Sequence, residues 1–428
     1  MLPSVYTQTS SGSVDVSTAF HLEGRSVLKL RDLLAEGVLS APDTQLALSL
    51  IAQQLHSPEK CVEAVNASVL EICIMLLRGC DDAVVRSRCG RVIAGLVRCK
   101  EGSLRLAQRP EDLLAVAEGV AGDPDEGVRR SCAAALRSFV EWGGREAPGA
   151  LAQCPGALEH VAVGVHAGGA GEEGVRALAA CCAHQSGAAA SLTYPTVVPA
   201  LVGFLCAQVE SGEAAQAQGA PPRPLVPPAP HHEPPSLPAL AALRDLCVLD
   251  GGKVALLSAG ASAPLVASLR HPAPEVRSAA AVCFSLFSQH LAALQACLDA
   301  DVASSLAPLL LDTSTRMAAY PAVQTVCKSE RGRSVLLAWA LGEGQDAMRS
   351  LARCVKNREV AADLVGMLKS PLSDAQVRGI ALGGLEELLA TGSAALINEV
   401  PFVAETLADC PETLAGEIKA ALLKIKRV

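Results

Sequence analysis

Asp82-Ala-Val-Val-Arg86 returns in diverged form as Asp125-Glu-Gly-Val-Arg129, Glu172-Glu-Gly-Val-Arg176, Pro274-Glu-Val-Arg277 and Asp374-Ala-Gln-Val-Arg378. Each copy runs into a stretch rich in small residues, with apolar side chains at helical spacing, so the phrase marks the start of a recurring helix. The arginines at 86, 129 and 176 stand 43 and 47 positions apart, within the period of roughly 40–47 residues that belongs to stacked helical repeats. Such repeats bury their apolar faces only against their neighbours and bind through extended surfaces, which favours an interaction or scaffold role over catalysis.

Downstream of each arginine, apolar residues recur at i, i+4 and i+7: Cys89, Ile93 and Leu96; Cys132, Leu136 and Phe139; Ala280, Phe284 and Phe287; Ala381, Leu385 and Leu388. Each trio shares one helix face and is expected in the core between repeats. The arginine lies one turn earlier. There its stem can pack while the guanidinium reaches an acid or a carbonyl of the adjoining repeat, a structural role. Two shorter helices precede the recurring one, most clearly at 252–260 and 263–270. Gly260 closes the first and Pro264 sits in the first turn of the second, the usual placing of these residues around helices.

The stretch from Gly252 to Gln289 resembles the armadillo family, and weaker units run over 59–97, 101–142, 150–184, 299–326 and 361–389. Residues 40–55 resemble a further third helix without its arginine. The resemblance implies an all-α, armadillo/HEAT-like right-handed α-solenoid of about eight or nine repeats, atypical at its ends. Arg176 and Arg277 are 101 positions apart, and the excess falls in a segment carrying Pro221-Pro-Arg-Pro224 and Pro227-Pro-Ala-Pro230. Proline at that density does not continue a helix. The chain therefore reads as a flexible tail over 1–20, N-terminal repeats over 21–209, a Pro/Ala-rich loop over 210–238, and C-terminal repeats over 239–428 in one continuous solenoid.

Half of the residues are hydrophobic but only 3% are aromatic, so the interior is expected to be built from Ala, Leu, Val and Cys in closely packed helices. A formal charge of −8 argues against a general grip on nucleic acid, which needs clustered cations. Sixteen irregularly spaced cysteines in a long chain whose start does not read as a secretory signal point to free thiols. The longest apolar stretch, 195–209, is shorter than the ~20 residues of a membrane span and contains Pro199 and Gly203; no membrane contact is expected.

No chemistry stands out. Gly251-Gly-Lys253 lacks the other residues of a phosphate loop and reads as a helix start, and Ser57-Pro-Glu-Lys60 reads as an N-cap with proline at the first helical position. Cys181-Cys-Ala-His184 crowds its ligands on one helix, too close to surround a tetrahedral ion. His231 and His232 fall in the proline-rich segment and are expected in solvent. No catalytic, cofactor-binding or metal-binding residue is expected, and no small-molecule substrate.

Armadillo proteins that carry nuclear import signals share a Trp and an Asn, four residues apart, on successive third helices. The Trp positions correspond here to Arg91, Ala134, Cys181, Val282 and Gly383, and the Asn positions to Gly95, Ser138, Gln185, Leu286 and Glu387. That peptide ladder is missing, as are regular Lys/Arg rows. Partner contacts are assigned instead to acids at the starts of third helices, Asp82, Asp125 and Glu173, with helix capping an equal alternative for each.

A narrower resemblance covers about the first 140 residues. His56-Ser-Pro-Glu-Lys60, Glu63-Ala-Val-Asn66, Leu76-Leu77 with Asp81-Asp82, Asp123-Pro-Asp-Glu126 and the Leu28-Lys-Leu30 entry are similar to the armadillo family of ciliary radial spokes, the radial spoke protein 14 family. The resemblance implies a non-enzymatic structural component of the axonemal radial spoke of a motile cilium or flagellum, on the cytoplasmic side, bound to other spoke proteins. The alternative is a cytosolic armadillo adaptor serving a chaperone or a ubiquitin ligase.

Overall fold

The computed structural model describes residues 26–217 and 234–400 apart from positions 371, 372, 374, 394, 395 and 398. The expected tail, most of the proline-rich segment with His231 and His232, and the last 28 residues lie outside these. The chain divides into two compact units, Met1–Phe204 with Ala241–Gly251, and Leu205–Leu240 with Gly252–Val428.

The first unit opens with α1 (Ser26–Glu36) and α2 (Ala41–Gln54). Three-helix repeats follow: α3 (Pro58–Asn66), α4 (Val69–Gly79) and α5 (Ala83–Leu96); α6 (Lys100–Ala107), α7 (Pro110–Gly122) and α8 (Glu126–Trp142); α9 (Glu146–Gln153), α10 (Ala157–His166) and α11 (Gly171–Cys182). Third helices pack on third helices, α2 on α5, α5 on α8 and α8 on α11, while α4 packs on α7 and α7 on α10. Next in this unit comes α12 (Gln185–Ser191), and α13 (Val197–Ala217), α14 (Ser236–Cys247) and α15 (Asp250–Ser258) each have residues in both units.

The second unit continues with α16 (Ser262–Ser268) and α17 (Pro274–Phe287). After these come α18 (Leu291–Asp299), α19 (Val302–Leu306) with the 3₁₀ turn Ala307–Leu310, and α20 (Arg316–Val326). Its last repeats are two-helix units, α21 (Glu330–Glu343) with α22 (Gln345–Cys354), and α23 (Arg358–Lys369) with α24 (Ala375–Ala390). Gly344, at φ +102°, turns the chain between α21 and α22, a backbone conformation that glycine adopts without a Cβ penalty. Again α17 packs on α20 and α22 on α24. The described residues thus form armadillo-like helical repeats, and they contain no strand.

The core is the one the trios specify. Cys89, Ile93, Leu96, Cys132, Leu136, Phe139, Ala280, Phe284, Phe287, Ala381, Leu385 and Leu388 are each at most 1% exposed. Gly260 takes φ +75° just past α15, and Pro264 stands in the first turn of α16. Lys253 lies in the first turn of α15, as the helix-start reading requires. Ser57 holds the N-cap position of α3 with Pro58 next to it, but its side chain makes no capping hydrogen bond.

One boundary differs from the reading of the sequence. Helix α13 runs across Pro199 and Gly203 and on to Ala217, and α14 starts at Ser236, so the segment taken as loop over 210–238 is helical at both margins. Pro199 is tolerated because it falls in the first turn, where a helix has no acceptor for the missing N–H. Among the described residues no helix is long and apolar enough to cross a membrane.

Candidate interaction surface

The arginine of the recurring phrase is a clamp. Arg86 Nη1 donates to the carbonyls of Cys80 and Asp81, both at 2.9 Å, just past the end of α4. Terminal helical carbonyls have no partner within the helix, so the guanidinium supplies one. The other edge of Arg86 forms a fork with Asp123 of the next repeat, Nε and Nη2 donating at 2.7 and 2.9 Å. Arg277 repeats the plan on the carbonyls of His271 and Pro272 and on Asp312 at 2.6 Å. Arg333 does the same with Cys327 and Asp363.

Variation around this plan is informative. Arg129 holds the carbonyls of Asp123 and Pro124, but beyond it lies Gly169, where a Cβ would come within 1.8 Å of Arg129 Nε. Here close approach of backbone replaces the acid. Arg176 pairs with Glu172 of its own helix at 2.5 Å, and Arg378 reaches the Ser370 carbonyl at 3.4 Å. A further clamp, Arg316, donates to the carbonyls of Leu310 and Leu311. Its phrase, Asp312-Thr-Ser-Thr-Arg316, lacks the valine before the arginine and escaped pattern reading; the aspartate four residues upstream was the available signal.

Electrostatics follow the clamp. Burial alone would raise the Asp123 carboxyl, yet the bonds from Arg86 and the Asp125 amide hold it below the usual carboxylate range. The hydroxyl and amide of Ser314, with Arg277, hold Asp312 at about 2. Arg86 is raised chiefly by its hydrogen bond to Asp123.

The three acids assigned to partners each have an internal partner as well. Asp82 is the N-cap of α5: its carboxylate accepts from the amides of Val84 and Val85 and from Gln45 Nε2 of α2. The Val85 amide bond is the main reason that its carboxyl is held low. Asp125 caps α8 by accepting from the Val128 amide at 3.0 Å and is exposed. Glu173 meets Arg137 of α8 at 2.7 Å. They sit at the same level of successive third helices, and each closes a helix end or joins two repeats.

Of the positions aligned with the Trp–Asn ladder, Cys181 and Ser138 are buried at 0% and 2% exposure, whereas Arg91 is open and Val282 is 36% exposed. Gln185 is not on a third helix at all: α11 ends at Cys182, and Gln185 opens α12. This corrects the alignment. Cys181 and Cys182 are buried in the core, and among the described residues no cluster of three or more His, Cys, Asp or Glu side chains is placed to hold a metal ion. Large apolar side chains do face solvent on four third helices: Val84 at 48%, Trp142 at 61%, Val282 at 36% and Met317 at 74% exposure. Sequence reading passed over them, because a lone apolar residue off the core stripe carries no pattern.

Repeat geometry defines the chain as an armadillo-like helical-repeat protein. Among solved structures it is similar to an engineered protein at 18% identity and a TM-score of 0.54, over 93% of this chain and 98% of that one. It is also similar to computationally designed armadillo repeat proteins for modular peptide recognition, at 16% identity and a TM-score of 0.39, over 70% and 99%. The first likeness bears on the fold alone. No family model and no curated protein matches the chain.

Proposed function

We propose that this chain is a non-enzymatic protein-interaction scaffold whose setting is the radial spoke of the motile axoneme. The observation that carries the scaffold reading is the set of apolar side chains left in solvent on third helices while every trio position is buried. Apolar side chains left in solvent are available for contact with a protein partner. Its placement in the spoke, among other spoke proteins, rests on the sequence resemblance within the first 140 residues.

Two experiments test the parts separately. For the scaffold, Met317→Asp and Val282→Asp should leave the thermal transition in place and reduce the set of proteins that co-purify with the chain; an unchanged set removes the reading. For the setting, the protein should remain on axonemes after detergent extraction and be needed to rebuild spokes that lack it. Recovery only in the soluble fraction, together with a chaperone or a ubiquitin ligase, would instead support the cytosolic adaptor.

A further inference from the structure

The first-row helices α6 and α9 pack side by side, and a trough lined by both lies along them. It consists of a cleft of about 380 Å³ at Trp142 and a second of about 590 Å³, which share Leu104, Ala107, Arg145 and Glu146. Trp142 is 61% exposed and Leu104 40%. The local sequence fixes the indole at this mouth. Trp142 ends α8, and Gly143 follows because a Cβ there would meet Ser103 Oγ at 2.1 Å and the Ala147 methyl at 2.5 Å. Gly144, at φ +67°, then turns the chain into α9.

Three further features mark a built site rather than a gap. Ser103 lines the cleft at 2% exposure, and its hydroxyl has no hydrogen-bond partner among the described residues. A buried hydroxyl left without a partner costs stability. Lys100 and Arg145 line the same mouth, and neither has an ion pair among the described residues. Helix α9 starts here with no side-chain cap, so its positive end adds to their field. Glu146 is the one acid among the lining residues, placed in the first helical turn.

We propose that this trough docks an acidic peptide segment carrying a bulky aliphatic residue. The aliphatic side chain packs on Trp142 and Leu104, and the carboxylates face Lys100, Arg145 and the open end of α9. Tryptophan and arginine are the side chains that most often dominate binding energy at interfaces, and here they flank one cleft. The surface lies mainly on the first-helix row and shares Trp142, at the end of third helix α8, with the scaffold reading, on which the proposal depends for its class of partner.

The test uses the full chain carrying Trp339→Phe, which leaves Trp142 as its one indole since the sequence has 2 tryptophans. Titration with a short acetylated, amidated peptide of Asp, Glu and Leu should give a saturable blue shift of Trp142 emission. The same peptide with Lys in place of its acids should give none. Lys100→Glu with Arg145→Glu should weaken binding about tenfold or more, of the order of a lost hot-spot charge, with an unchanged thermal transition. If Trp339→Phe disturbs the fold, the difference between wild type and Trp142→Phe supplies the same signal. No saturable shift, an equal response to the Lys peptide, or a response only to phosphatidylglycerol vesicles would each overturn the proposal. Retention on extracted axonemes is measured independently, so failure of the peptide does not stand for failure of the spoke setting.

Discussion

Replacing Arg86 by alanine tests the clamp. The side chains of Arg86 and Asp123 are 12% and 10% exposed, and the substitution removes two bonds to the carboxylate and two to the end of α4. Breaking a fully buried pair costs about 3–5 kcal/mol; this pair keeps a wetted rim, so Arg86→Ala should cost about 2–3 kcal/mol. Arg129→Ala removes only carbonyl bonds and should cost about 1 kcal/mol. Asp123→Asn keeps an acceptor for the Asp125 amide but loses the charge. Its cycle with Arg86→Ala should show a coupling of about 1–2 kcal/mol. The sign of the pH dependence is fixed by the depressed Asp123 carboxyl. Its contribution is fully present above the unfolded value near pH 4 and is lost as pH falls through the lower folded value. Wild type and Arg86→Ala should therefore draw closer in acid, to the difference of about 1 kcal/mol that the carbonyl bonds leave. Guanidinium unfolding followed by circular dichroism, with hydrogen exchange across α4 and α8, reads both effects. Equal costs for Arg86→Ala and Arg129→Ala, or a difference that does not change with pH, would refute the reasoning.

Four other outcomes are expected. Leu136→Asp or Phe284→Asp places an unpaired charge at 0% exposure and should cost several kcal/mol, about 3 or more, seen as a collapse of the thermal transition; an unchanged melting temperature for both would remove the repeat register. Asp125→Ala should cost about 1 kcal/mol through the lost cap, measured by denaturant midpoint. The Arg277–Asp312 pair should lose its stabilising effect between about pH 4 and the folded value of about 2, so the difference between wild type and Arg277→Ala should be larger at pH 6 than near the acid limit, where only the bonds to the His271 and Pro272 carbonyls remain to separate them. Burial pushes the Cys132 and Cys327 thiols up to about 12. Among the described cysteines, a thiol reagent should therefore label the half-exposed Cys80, Cys99 and Cys206 first under native conditions, as peptide mapping would show.

Period and core were legible in the sequence because each rests on a local rule: a recurring phrase fixes the register, and i, i+4, i+7 spacing fixes the buried face. Helix margins were less so. Residues 210–217, Glu-Ser-Gly-Glu-Ala-Ala-Gln-Ala, carry no apolar stripe, so nothing in the pattern set them apart from the prolines that follow, yet α13 includes them. The two-helix form of 330–354 was also hidden, since helix length there depends on where Gly344 turns the chain. Sites were least legible. Asp82, Asp125 and Glu173 look alike as outward acids in the sequence; the caps that Asp82 and Asp125 form on Val84, Val85 and Val128 are local and match the capping alternative, whereas the partners Gln45 and Arg137 depend on how the chain folds back on itself.

This use of charge constrains where partners can bind. Asp82 and Glu173 each join two repeats, and Asp125 closes a helix. An approaching protein would have to break these contacts before using the acids, and a rim ion pair gained in exchange is worth little. Substituting the three together would confound lost stability with lost binding. Trp142, Lys100 and Arg145 have no such prior commitment among the described residues, and the cleft they flank is open without rearrangement. Contacts there add to the free energy of association without first subtracting from the free energy of folding. A comparison of Asp125→Lys with Lys100→Glu therefore separates the two kinds of charge: the first should lower the unfolding midpoint and leave acidic-peptide affinity unchanged, and the second should do the reverse. If Asp125→Lys weakened peptide binding at full stability, the acids would be restored as contacts and the division between structural and available charge would fail.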